Sequence, residues 1–361
     1  MRVSAPDPAP TPSESAREGA SGPAVVVAVV GPTATGKSDL ALDLAQALSP
    51  GGAGGPEVLR GTADAEIVNA DAFQLYRGMD VGTAKVPVAE RRGIAHHQLD
   101  VLDPLEDASV ARYQGAARAD LDAIAGRGAR AVVVGGSGLY VRALLDHLDF
   151  PGTDPAVRAR LEDRAEREGR RALHDELARL DPDAAASIGP HNTRRIVRAL
   201  EVIELTGRPY TANLPRQEHV RPAVQIGLDC DREVLDAHVA GRVERMWEEG
   251  LVEEVRSLAS AEQGGTGAGL STTAARAVGY AELLACWRGE LTLDGAREAI
   301  VANTRRLARK QMGWFGRDPR VRWLDAGSPD LLDEALAVVR AADAGRLPEP
   351  GAGPVRRSLG S

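Results

Sequence analysis

The sequence predicts an α/β fold, a parallel β-sheet with helices on both faces, interrupted by an all-helical insertion domain. Three observations predict it. Short apolar runs, AVVVAVV (24–30), AEIVNAD (65–71), ARAVVVGG (129–136) and VQIGLD (224–229), read as strands covered on both faces. Helical periodicity follows the strands, and that alternation gives a parallel sheet. From Asp154 to about Leu205 the alternation stops, and charged helical stretches succeed one another with no strand between them.

In chain order, residues 1–23 are polar, Pro-rich and without period, which predicts a disordered tail. A first core segment (24–150) opens with the strand AVVVAVV, the glycine loop GPTATGKS (31–38) and the helix SDLALDLAQAL. SPGGAGGPEVLRGTADA (49–65) reads as a Gly-rich loop insertion. The strands AEIVNAD and ARAVVVGG follow, and GLYVRALL (138–145) reads as a helix. The helical insertion takes 151–215, with AVRARLEDRAEREGRRALHDELARL (156–180) and NTRRIVRALEVIELTG (192–207). A second core segment (216–345) holds the strand VQIGLD and the helical stretch 232–258. It continues with a flexible loop (261–271), the basic helix EAIVANTRRLARKQMGWF (298–315) and a last strand, VRWLDA. Residues 346–361 are again Pro/Gly-rich and are expected to be a disordered tail.

The bulk composition narrows the function. With 361 residues, 43% of them hydrophobic, the chain can bury one large core or two smaller ones. Aromatics are only 3%, so Ala, Val and Leu must fill the interior. Cys230 and Cys286 are far apart and lack a CxxC partner, which favours ordinary thiols in a reducing cytosol over a disulfide framework or a zinc site. The most apolar run, Ala24–Val30, falls far short of the roughly 20 residues that span a bilayer. The expectation is therefore a cytoplasmic monomer with no membrane contact. The net charge of −8 argues against a nucleic-acid partner unless local basic patches reverse it.

Gly31-Pro-Thr33-Ala34-Thr35-Gly36-Lys37-Ser38 completes the pattern GxxxxGK[ST] between a strand and a helix. In that context the backbone N–H groups of Gly31 and Thr33 to Ser38 and the helix N-terminus form a cradle for a diphosphate or triphosphate. Lys37 adds a point charge, and the Ser38 hydroxyl can ligand Mg²⁺. Alone, this P-loop indicates a nucleotide-binding protein, an NTPase or an ATP-binding nucleotide or small-molecule kinase. Such enzymes carry an acidic Mg²⁺ partner at another strand end. Here AVVVGGSGLY ends in glycines and Ser137 instead, and Asp229 is a weaker substitute.

NADAFQLYRGMDVGTAKV (69–86) makes the reading specific, because it resembles the DSxQxYRGMDIGTAKP signature of bacterial tRNA dimethylallyltransferases. GPTATGKS, AHHQLDVLDP, VVVGGSGLYVRALL, TRRIVRALEV, ARAVGYAE and TRRLARKQMGWF accompany it in that family's order, from Val25 to about Leu324. The resemblance implies a P-loop kinase-like fold, Mg²⁺ as cofactor, and tRNA and dimethylallyl diphosphate as substrates. The dimethylallyl group would pass to the exocyclic amine of the adenosine 3′ of the anticodon. That amine is a poor nucleophile, and a carboxylate that accepts its proton is the natural remedy. The resemblance makes Asp71 that base; otherwise it is a loop cap or a second-sphere Mg²⁺ ligand. Ser137 resembles the residue that contacts the bridging oxygen of the donor, against a simple turn serine. Arg276 resembles the diphosphate clamp, against a solvated surface charge. Gln74, with Phe73 beside it, resembles the reader of the target adenine edge. Ala72 departs from the family's Ser, so one hydrogen bond near the adenine is expected to be missing.

Within an acidic chain, Arg194, Arg195 and Arg198 on the insertion and Arg305, Arg306, Arg309 and Lys310 near the end are local basic clusters, with Arg317, Arg320 and Arg322 beyond them. They can position an RNA backbone; the alternative is a solvated helix face. The resemblance assigns the stretch Arg194, Arg195, Ile196, Val197, Arg198, together with Arg158, to the tRNA anticodon stem-loop, and implies a flipped-out adenine. Two other classes stay open: a P-loop kinase indifferent to tRNA, and a non-catalytic RNA-binding protein with a remnant P-loop.

Overall fold

A computed structural model describes residues 24–51, 63–213, 217–260 and 269–347. The expected tail 1–23, most of the Gly-rich insertion, residues 261–268 of the flexible loop and 348–361 of the second tail lie outside the described residues. In chain order the elements are β1 (Val26–Val30), α1 (Lys37–Leu48), β2 (Glu66–Asn69), β3 (His96–His97), α2 (Val110–Gly126), β4 (Ala131–Val134) and α3 (Gly138–Leu145). Next come α4 (Pro155–Glu168), α5 (Arg170–Leu180), α6 (Pro182–Ile188) and α7 (Thr193–Thr206). The last described elements are β5 (Ala223–Asp229), α8 (Arg232–Glu248), α9 (Leu251–Ser260), α10 (Tyr280–Trp287), α11 (Leu293–Phe315), β6 (Val321–Asp325) and α12 (Leu331–Asp343).

Among the described residues the six strands are all parallel, in the order β3-β2-β4-β1-β5-β6. Alternate side chains of β1 enter two different cores, which is why its apolar run is unbroken. Val26, Ala28 and Val30 face α2, α3, α8, α10 and α11, whereas Val25, Val27 and Val29 face α1 and α12. The helices between Asp154 and Gly207 close on a separate core of Leu161, Leu173, Leu177, Ile196, Val197 and Leu200.

Two long helical stretches of the sequence are each two helices. Gly169 (φ 84°) separates α4 from α5, and Gly250 (φ 97°) separates α8 from α9. Both glycines adopt a left-handed backbone that ends a helix. β3, α2, α6, α10 and α12 go beyond the stretches that the sequence singles out. β3 is only two residues long and carries no period. α2 buries Tyr113, Ala117, Leu121 and Ile124 at helical spacing, but Ala111, Ala116, Ala119, Ala123 and Ala125 lie off that stripe and blur it.

Because β2, β4 and β1 are neighbours, the loops that leave their carboxyl ends lie side by side. These are the loops of Asp71, of Ser137 and of GPTATGKS. The carboxyl edge of a doubly wound sheet is where such folds bind ligands.

Candidate active site

The phosphate loop is braced from within and from α11. Ala34 (φ 64°) and Gly36 (φ 79°) turn it left-handed, and the Thr35 hydroxyl donates to the Pro32 carbonyl at 2.9 Å. The Thr33 N–H donates to Gln311 Oε1 at 2.8 Å, so a buried amide of α11 holds the loop in place. Lys37 Nζ donates to the Pro32 carbonyl at 2.5 Å. Burial first, and then the Arg242 guanidinium, pull the Lys37 ammonium down to about 7, against the attraction of Asp71. A diphosphate arriving there would restore the charge, since an adjacent anion favours the protonated form.

Asp71 follows β2 in a turn that buried Asn69 fixes. Asn69 Oδ1 accepts the Asp71 N–H at 3.0 Å, and Asn69 Nδ2 donates to the carbonyls of Asp71 (3.0 Å) and Gln98 (2.9 Å). Asp71 Oδ1 accepts the Phe73 N–H at 3.0 Å. The next N–H, of Ala72, donates to Ser137 Oγ at 3.1 Å, which couples the carboxylate turn to the end of β4. Ser137 uses an acceptor site for this and keeps its own proton for a ligand. Gln74 Nε2 donates to the carbonyls of Thr83 (3.0 Å) and Ala84 (3.3 Å), which leaves its side-chain oxygen to accept.

The glycines around Ser137 are steric necessities. A Cβ on Gly135 would sit 2.4 Å from the Ala70 backbone, one on Gly136 2.3 Å from Gln311 Nε2, and one on Gly138 2.0 Å from the Trp314 ring. β2 and β4 approach this closely because Gly135 has no side chain, and Gly136 and Gly138 let Gln311 and Trp314 of α11 pack against the turn.

Two spaces open at this edge. A cleft of about 990 Å³ is lined by Lys37, Ser38, Lys85, Arg242 and Arg245 together with Asp39, Asp80 and Asp100. A small apolar cavity of about 70 Å³ adjoins Thr33, Asp71 and Arg242 and is walled by Phe73, Val243, Met246, Leu251, Val278 and Ile300. Arg242 touches both spaces and was missed in the sequence. Its burial pulls the guanidinium below its ordinary value, against the pull of Asp71. The sequence signal for it is register: Arg242 falls on the buried stripe Leu235, Val239, Val243 of α8, where a solvated charge does not belong. Arg276, by contrast, is exposed on the turn Ala274–Arg276, next to the Ala277–Gly279 segment that lines the small cavity.

The insertion arginines divide in two. Arg158 (2.6 Å) and Arg198 (2.8 Å) both pair with Glu201, whose side chain is fully buried and also accepts the Asp154 N–H at 3.1 Å. Ile196 and Val197 point into the insertion core. Arg194 and Arg195 are exposed. Near the chain end, Arg305 pairs with Asp236, and Arg320 with Asp146 and Asp318, while Arg306, Lys310 and Arg317 are exposed.

Among the described residues, no three His, Cys, Asp or Glu side chains come together as a metal cage. Ser38, with Asp39 beside it at the start of α1, offers a hydroxyl to the cleft. That sparse oxygen set fits a hard cation that takes its remaining ligands from water and phosphate. No helix among the described residues is long and apolar enough to cross a membrane.

Residues 74–318 match the family model described as IPP transferase. A tRNA dimethylallyltransferase of Thermobifida fusca is 55% identical over 314 residues, 87% of this chain and 94% of the relative. One of Mycobacterium avium is 55% identical over 321 residues, covering 87% and 99% of the two chains. The solved tRNA isopentenylpyrophosphate transferase of Bacillus halodurans superposes at a TM-score of 0.62 with 35% identity, over 89% of this chain and 97% of that one. A eukaryotic dimethylallyltransferase acting on tRNA shares the fold at a TM-score of 0.75 and 24% identity, over 92% of this chain and 82% of that one.

Proposed function

The chain belongs to the IPP transferase family, and from that premise we propose that it moves the dimethylallyl group of dimethylallyl diphosphate onto the exocyclic amine of the tRNA adenosine 3′ of the anticodon. The observation that carries the proposal is the convergence of Thr33, Asp71 and Arg242 on one small apolar cavity beside the phosphate loop. An apolar pocket, a general base and a diphosphate cradle are the three things that this transfer needs.

The donor diphosphate lies on the amides of Gly31 and Thr33 to Ser38, held by Lys37 and Arg242, and Arg276 adds a guanidinium from the exposed rim. The flipped adenine enters beside Asp71, and the Gln74 side-chain oxygen accepts from its edge. The amine nitrogen bonds to the allylic carbon as the carbon–oxygen bond breaks, and that electron pair leaves with the diphosphate. Asp71 takes the proton that the amine sheds. Ser137, Lys37 and Arg242 face the charge that develops on the leaving group. Ser38 would hold Mg²⁺, which supplies further neutralisation of that charge when bound. Exposed Arg194 and Arg195 engage the phosphates of the anticodon stem-loop. Arg158, Ile196, Val197 and Arg198 hold the helix that presents them.

Incubation with labelled dimethylallyl diphosphate, Mg²⁺ and unmodified tRNA tests the reading. Label should pass into the RNA and diphosphate should be released. Phosphoryl transfer from ATP without any need for tRNA would instead favour the kinase reading.

A further inference from the structure

The exposed side of α11 carries a pattern that the reaction described above does not use. Arg306, Lys310 and Trp314 follow at i, i+4 and i+8, with exposed Arg317 just past the helix end, so cations and one aromatic ring share a solvent-facing stripe. The opposite side buries Ile300, Ala308, Gln311, Met312 and Phe315. Trp314 is 42% exposed, far too much for a core residue of its size.

Its placement is tightly specified. The Trp314 ring rests on Gly138, where any side chain would collide with it. The Arg142 guanidinium sits 5.8 Å from the ring centroid. Exposed Leu139 adjoins Gly138. Gly138 follows Ser137, whose hydroxyl holds the Ala72 N–H next to Asp71. One turn before Trp314, Gln311 anchors the phosphate loop through Thr33. The ring is thus fixed against the β4–α3 turn, one residue from Ser137, which bonds the Asp71 turn, and beside the Arg142 guanidinium.

We propose that Trp314 is a stacking platform for the base that flanks the flipped adenosine. The inference rests on the tRNA reading above. Extruding one base from a loop exposes the faces of its neighbours, and aromatic rings among cations are how proteins hold unpaired bases. Arg306, Lys310 and Arg317 supply attraction for the adjoining phosphates, and the ring supplies a flat apolar face.

The test measures binding and prenylation of an anticodon stem-loop RNA by the full chain, wild type, Trp314→Ala and Trp314→Phe. The RNA is either intact or carries an abasic nucleotide on the 5′ or the 3′ side of the target adenosine. With intact RNA, Trp314→Ala should weaken binding on the order of tenfold or more. Trp314→Phe should recover most of that loss, and donor binding should stay unchanged. One abasic RNA should cost the wild type a similar factor and cost Trp314→Ala almost nothing more. Equal penalties for both abasic RNAs in wild type and Trp314→Ala would overturn the proposal, as would full affinity of Trp314→Ala for intact RNA. A wild type that fails to prenylate intact RNA would overturn the functional reading itself, and the platform with it.

Discussion

Asp71, Lys37 and Arg242 illustrate what one residue can announce and what it cannot. Lys37 and Ser38 are legible because the glycine pattern around them has few other uses. Asp71 is legible because a strand end beside such a loop is a privileged place. Arg242 is hidden because it belongs to a charged helical run, GRVERMWEEG, in which a buried guanidinium looks like any solvated one. Its register on the buried stripe of α8 is the one sequence hint, and its position between both spaces gives that hint its meaning. Replacing Arg242 by Ala should lower kcat/KM for the donor by roughly 10²–10³, because it removes charge facing the leaving group. It should also raise the Lys37 pKa from about 7, since the neighbouring repulsion disappears. Steady-state kinetics with varied donor, beside unchanged tRNA affinity, would check the assignment.

At the level of elements, the glycines of GGSG read in the sequence as the lack of an acidic metal partner. The structure gives them a positive role, the close approach of β4 to β2 and α11. Such an approach is a tertiary fact with no local signature. The insertion shows the same limit. Its helical nature is plain in the sequence, but nothing there separates the exposed Arg194 and Arg195 from Arg198, which is committed to Glu201. Burial alone would raise the Glu201 carboxyl, but hydrogen bonds from Arg158 and Arg198 outweigh it and hold the group below its ordinary 4.5. Its stabilising contribution is therefore present above 4.5 and lost as pH falls through the folded-state value. Glu201→Gln should cost about 2 kcal/mol at pH 7, a gap that narrows below pH 4.5; thermal melts of both proteins from neutral to acid pH would show it. Replacing Arg194 and Arg195 together by Ala should instead spare stability and flatten the salt dependence of tRNA binding, by about one unit of log–log slope for each phosphate that the variant no longer neutralises. A salt titration of wild type and double variant measures this.

Over the whole molecule, sheet order does the assembling. β2, β4 and β1 stand side by side, and three loops separated by up to about a hundred residues in the sequence meet at one edge. The parallel sheet was legible because its strands are apolar on both faces; its order was not, since nothing in a strand's sequence names its neighbour. The net charge of −8 leaves attraction for RNA to local patches. The central claim is that this edge is a prenyl-transfer site with Asp71 as its base. It is tested most directly by the single-turnover rate of dimethylallyl transfer to a bound anticodon stem-loop, for wild type and Asp71→Asn. Asp71→Asn should bind donor and RNA like the wild type and transfer roughly 10²–10⁴ times more slowly. Transfer by Asp71→Asn at the wild-type rate would contradict the account.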